Sequence, residues 1–127
     1  MKVFKFGGAS VNSIERIQNL AGIIKLYEGD NLMIIISAMG KTTNALEKVV
    51  EAFFAERQQD ALQLFEGIKK QHLTTAKYLL VTHFNSCIEQ LSGFFIFFEW
   101  LLHDKPVRAY DYYYDQVVCI GELLSTC

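Results

Sequence analysis

Lys5, two residues ahead of the pair Gly7-Gly8, is the first position in this 127-residue chain whose type and place suggest chemistry. An ammonium on a strand beside a glycine turn reaches phosphoryl oxygens as a point charge, and paired glycines let the backbone approach a phosphate closely. Ser10 closes the same block, and the helix start that follows supplies free N–H donors. The same residues also make a tight strand-to-helix turn with a solvated lysine, and local sequence leaves both uses open. A second block, Ser37-Ala38-Met39-Gly40-Lys41-Thr42-Thr43-Asn44, gathers hydroxyls and an amide at a helix start. That suits N-capping by Thr42 or Thr43 and equally a polar ligand, because both use the same orphan donors. In a third block, Gly121-Glu122-Leu123-Leu124-Ser125-Thr126, a carboxylate lies among apolar helical positions. Glu122 reads as an ordinary surface glutamate or as a partner for an α-ammonium, a contact of about 1.5–3 kcal/mol.

The elements that hold these blocks follow from periodicity. Val3 to Phe6 reads as a short strand ended by the glycines. From about Asn12, Ile14, Ile17, Leu20, Ala21, Ile24 and Tyr27 recur at helical spacing, with Asn12 and Glu15 as a capping pair and an end near Glu28. Leu32 to Ile36 is continuously apolar, as expected of a parallel strand covered by helices on both faces. Leu46, Val49, Val50, Phe53 and Phe54 outline a second helix to about Arg57. Further helices are predicted over residues 59–82, over 85–103 as far as the break at Asp104-Lys105-Pro106, and from about Tyr112 onward. The sum is an α/β chain of about two strands and five helices, short of sheet.

Bulk properties narrow the function classes. The composition is 51% hydrophobic and 20% charged, which fits one globular domain and excludes disorder. Twelve basic and fourteen acidic residues are dispersed, so no basic stripe marks a nucleic-acid partner. Cys87, Cys119 and Cys127 form neither a disulfide framework nor a metal pattern, and His72, His83 and His103 have no ligand spacing, so no metal site is expected. Met1-Lys2 leads into a strand without a signal-peptide core. The run Phe94–Leu102 is far shorter than the roughly 20 residues that span a bilayer, and Glu99 interrupts it. These features predict a cytoplasmic chain with reduced thiols and no membrane partner. The sheet edges and the Phe94–Leu102 run predict a homodimer. Gly40-Lys41-Thr42 brings a Walker A loop to mind, but that motif needs a glycine where Ile35 stands inside the strand.

In this order, the three blocks resemble the N-terminal half of aspartate kinases, members of the amino-acid kinase family, and the resemblance spans nearly the whole chain. It implies a three-layer α/β/α fold with a parallel sheet. Residues 1–127 would be the N-terminal, amino-acid-binding part of the catalytic domain, without the second half, its Gly-Ser-Asp segment and nucleotide-base loops, or the ACT domains. The implied activity is transfer of the ATP γ-phosphoryl group to the side-chain carboxylate of L-aspartate, in lysine, threonine and methionine synthesis. ATP enters as co-substrate with Mg²⁺, and the metal arrives with the nucleotide. By the resemblance Lys5 is catalytic and binds phosphate with Gly7, Gly8 and Ser10, while Ser37, Thr43 and Glu122 contact aspartate. The chain departs from the family at Ala9, where a threonine or serine is usual, so a hydroxyl contact there is lost. Glutamate and acetylglutamate kinases match the second and third blocks less well. The alternative from another class is a non-catalytic amino-acid-binding or interaction fragment of the same fold.

Overall fold

A computed structural model describes all residues from Met1 to Cys127. Strand β1 (Lys2–Phe6) and strand β2 (Leu32–Ile36) pair in parallel, with Lys5 opposite Ile35 and Phe6 opposite Ile36. Between them lie a one-turn 3-10 helix (Gly8–Val11) and helix α1 (Ile14–Lys25). After β2 come α2 (Thr42–Phe54), α3 (Gln58–Leu79), α4 (Phe84–His103), α5 (Tyr110–Val118) and α6 (Ile120–Thr126). The helical segment expected from Tyr112 is therefore in two pieces that meet at Cys119. The cap of α1 also differs by one residue from the expected Asn12–Glu15 pair. Ser13 takes the N-cap and its hydroxyl accepts from the Arg16 N–H at 3.3 Å, because Asn12 is used to end the 3-10 turn.

Helices α2 to α6 enclose the main core, 18 buried residues at whose centre aromatic rings interlock. Phe65 of α3 stacks on Phe98 of α4 with ring centres 5.6 Å apart, and Phe53 of α2 meets Tyr113 of α5 edge-on at 5.1 Å. The run Phe94–Leu102 divides accordingly. Phe95, Phe98 and Leu102 enter this core, whereas Ile96, Phe97 and Trp100 face outward. Where α4 ends, Gln58 donates to the Leu102 carbonyl at 3.1 Å, supplying a partner for an acceptor that has no intrahelical donor. The Tyr113 hydroxyl accepts from the Val107 and Arg108 N–H groups and pins the loop around Pro106.

The strand pair forms a second, smaller unit. Val11, Leu20 and Met39 are its buried residues, with Phe6, Ile17, Ile24 and Ile36 packed against them. Alternation puts Phe4 and Phe6 on the face of α1, where Phe4 meets Tyr27 edge-on at 4.8 Å. Val3, Lys5, Met33 and Ile35 take the opposite face. That face is open, with Met33 48% and Ile35 45% exposed. The expectation of helices on both faces of β2 is thus corrected: an apolar run reports a strand fit for burial, but this chain covers one face only.

Candidate functional site

The three sequence blocks meet at the C-terminal ends of the two strands, and backbone contacts join them. The Ser37 N–H donates to the Phe6 carbonyl at 2.9 Å, extending the strand ladder by one bond. The Gly40 N–H donates to the Gly8 carbonyl at 3.2 Å, locking the second block onto the first. Gly8 has no room for a side chain, since a Cβ there would lie 3.0 Å from the Ala38 carbonyl oxygen and 3.1 Å from that of Gly40. Gly40 itself adopts φ +51°, the left-handed region that turns the chain from β2 into α2. Gly7, by contrast, would meet nothing within 4 Å. The glycine pair therefore splits, Gly8 serving the joint between blocks and Gly7 leaving open space.

The third block closes on the second from the other side. A Cβ on Gly121 would lie 2.8 Å from the Ala38 Cβ, so α6 approaches the Ser37–Gly40 turn as closely as glycine permits. One helical turn on, the Ser125 hydroxyl lies 2.9 Å from the Ser37 carbonyl oxygen. Residues four apart share a helix face, so Gly121 and Ser125 together seat α6 on that turn. Sequence reading named neither residue as functional. Their spacing was the available signal, without meaning until its partner was known.

The side chains that could meet a ligand are placed differently. Lys5 is exposed on the open face of the sheet, and Glu122 is exposed on α6. Neither takes part in any of the four ion pairs of the chain. Ser37 and Thr43 are half-buried at the turn and the first turn of α2. The expected capping by Thr42 or Thr43 is not what forms: the N-cap is Lys41, without a side-chain bond. Buried Thr42 instead donates from Oγ1 to the Met39 carbonyl at 2.6 Å, which stiffens the turn from within. Ser10 stands apart from Lys5. Its N–H closes on the Gly7 carbonyl at 2.8 Å, and its residue lines a cleft of about 150 Å³ with Phe6, Arg16 and Asn19 on the α1 side of β1.

Behind the joint lies a mostly apolar cavity of about 80 Å³, whose walls include Met39, His72, Leu124 and Ser125. His72 is 3% exposed. Its Nδ1 lies 2.8 Å from the Ile68 carbonyl oxygen, which only accepts, so Nδ1 carries the proton and Nε2 is a bare acceptor without a protein partner. Burial holds its pKa below the ordinary value, against the opposing pull of the Ile68 carbonyl.

What this arrangement provides is a lysine and an open glycine turn at one strand end, two hydroxyl residues at its neighbour, and an exposed carboxylate on the helix that packs against that second turn. Known proteins are similar to the chain as a whole. The model of the amino acid kinase family matches residues 1–127. The chain is 33% identical to the chloroplastic aspartokinase 2 of Arabidopsis thaliana, an alignment that covers 98% of this chain and 23% of that protein. It is 43% identical over 65 residues to an aspartokinase of Geobacillus stearothermophilus, covering 47% of this chain and 16% of that one. Among solved structures it resembles E. coli aspartokinase III in complex with lysine and aspartate, with a TM-score of 0.80, 22% identity, and coverage of 99% of this chain and 27% of that one. The chain thus spans about a quarter of these relatives or less, and the structural likeness carries the α/β fold with its parallel sheet. With a family match over its entire length and its three motif blocks brought together at the strand ends, the chain belongs to the amino acid kinase family.

Proposed function

We propose that residues 1–127 are the amino-acid-binding part of an aspartate kinase catalytic domain. The observation that carries this reading is the meeting of the three blocks through the Gly8–Gly40, Gly121–Ala38 and Ser125–Ser37 contacts. Ser37, Thr43 and Glu122 hold L-aspartate, with the Glu122 carboxylate facing its α-ammonium. The side-chain carboxylate of aspartate is ionised near neutral pH, so it attacks the γ-phosphorus of ATP without a general base. Phosphoryl transfer then depends on alignment and on neutralising the charge that develops on the equatorial oxygens. Lys5 supplies positive charge there, and the open turn at Gly7 and Gly8 admits the phosphates, with Ser10 the outlying member of the set. Mg²⁺ comes bound to ATP.

Three free cysteines, of which Cys119 is exposed, fit a reducing compartment such as the cytoplasm, and no helix is long and apolar enough to cross a membrane. The outward face of α4, where Trp100 is 69% exposed beside Ile96 and Phe97, supports a symmetric dimer of this chain.

The activity reading is tested in a chimera in which this chain replaces the matching segment of Arabidopsis aspartokinase 2, with hydroxylamine trapping the acyl phosphate. Lys5→Ala lowers kcat by about 10²-fold or more, the usual cost of losing one preorganised donor to a transition-state oxygen. Glu122→Ala mainly raises KM for aspartate, because the ammonium contact is equal in ground and transition states. Full kcat in Lys5→Ala overturns the assignment.

A further inference from the structure

The joint between α6 and the Ser37–Gly40 turn has two points of attachment of different kinds. At Gly121 it is a van der Waals contact with Ala38, which fixes how near α6 comes but not how it is rotated. At Ser125 it is a directed bond to the Ser37 carbonyl at 2.9 Å. The same hydroxyl oxygen lies 2.9 Å from the Glu122 carbonyl within its own helix. A hydroxyl has one proton, so the two carbonyls share a single donor. Ser125 thereby touches the backbone of both residues, Ser37 and Glu122, that the proposed function assigns to the amino acid.

Packing does not make this bond redundant. The cavity of about 80 Å³ bordered by Met39, Leu124, Ser125 and His72 leaves the space behind the joint incompletely filled. Ile120 and Leu124 anchor α6 in the main core. Beside this space, however, the edge of the helix that meets the turn is set by the Gly121 approach and by the Ser125 bond four residues along the same face. Without that bond this edge can rotate slightly about Gly121. The distance from Ser37 to Glu122 is what a pivot about Gly121 would change.

We propose that Ser125 is a positioning residue that sets the span between Ser37 and Glu122 and so selects the length of the amino-acid substrate. It favours a four-carbon acidic amino acid over its five-carbon homologue. The inference rests on the aspartate-binding reading given above. It assigns Ser125 no contact with substrate. Its effect passes through the two residues it ties together.

Calorimetric titration of the 127-residue chain with L-aspartate and with L-glutamate tests it, alongside hydrogen exchange at Gly40 and Thr42. Ser125→Ala is expected to weaken aspartate binding about tenfold, the scale of one hydrogen bond, while glutamate binding holds or rises. The Gly40 and Thr42 amides then exchange faster. Ser125→Thr, which keeps the hydroxyl, restores the preference for aspartate. Equal weakening of both amino acids in Ser125→Ala, or no change in either, overturns the inference, since a purely structural serine would not alter their ratio. Glu122→Gln separates the two ideas. If it leaves aspartate affinity intact, or if the chain binds neither amino acid, the substrate reading falls and the length selection with it. The exchange rates still report whether Ser125 holds the turn.

Discussion

The helical core and the strand corner of this molecule are built on opposite principles. In the core, α2 to α6 bury 18 residues against one another, and stability comes from interlocked rings such as Phe65 and Phe98. In the corner, Val11, Leu20 and Met39 are buried under one face of a two-stranded sheet whose other face is open. Yet Lys5, the glycine turn and Ser37 belong to the corner. The difference shows how the labour is divided. Packing supplies a rigid body, and close backbone approaches at Gly8, Gly40 and Gly121 fasten a thinly packed, ligand-accessible edge to it.

This division predicts unequal costs for truncating side chains. Phe98→Ala, at a fully buried ring, is expected to lower stability by about 3–5 kcal/mol in urea unfolding and to weaken cooperativity throughout. Leu20→Ala in the corner should cost less, about 2 kcal/mol, because its surroundings are open enough to relax. A larger loss at Leu20 than at Phe98 would reverse the comparison.

The fastening itself is broken by Gly121→Ala, whose new methyl would sit 2.8 Å from that of Ala38. An overpacked contact of this kind costs about 1–3 kcal/mol. The prediction is a regional effect: amides of Ser37 to Thr42 lose exchange protection while α3 and α4 keep theirs. Adding Ala38→Gly removes the opposing methyl and should recover much of the loss, a coupling that a double-mutant cycle measures. Additive effects would mean that the two residues do not press on each other.

The smallest expected effect sharpens the boundary between the regions. His72 lies in the wall of the cavity behind the joint, with a pKa held below its ordinary value by burial. Below about pH 6.5 the unfolded chain takes up a proton at this residue while the folded chain resists it. Its contribution to stability is therefore complete above that pH and is lost as the pH falls toward the lower folded value, by at most about 1.4 kcal/mol per pH unit. His72→Leu should remove this part of the slope when urea midpoints at pH 7.5 and pH 5 are compared. An unchanged slope would show that His72 charges as readily folded as unfolded.

Much of this molecule could be read directly from residue order, and the reason is periodicity. Five apolar residues between a turn and a serine define β2, which runs from Leu32 to Ile36 as expected. The spacing of Leu46, Val49, Val50 and Phe53 defines the buried stripe of α2. The residue types of the three blocks marked the candidate site, and their order carried the family resemblance. These are local properties, encoded within one or two turns of chain. What the chain left open were contacts between residues far apart in it. No pattern tells that Gly8 is small for the sake of Ala38 and Gly40, that Ser125 binds a carbonyl 88 positions away, or that Ser10 lies on the other side of β1 from Lys5. Nor does an apolar run say which of its faces is covered, as Met33 and Ile35 show. Tertiary structure alone decides such matters, because steric fit and hydrogen-bond direction depend on which surfaces meet, and that is settled only when the whole core closes.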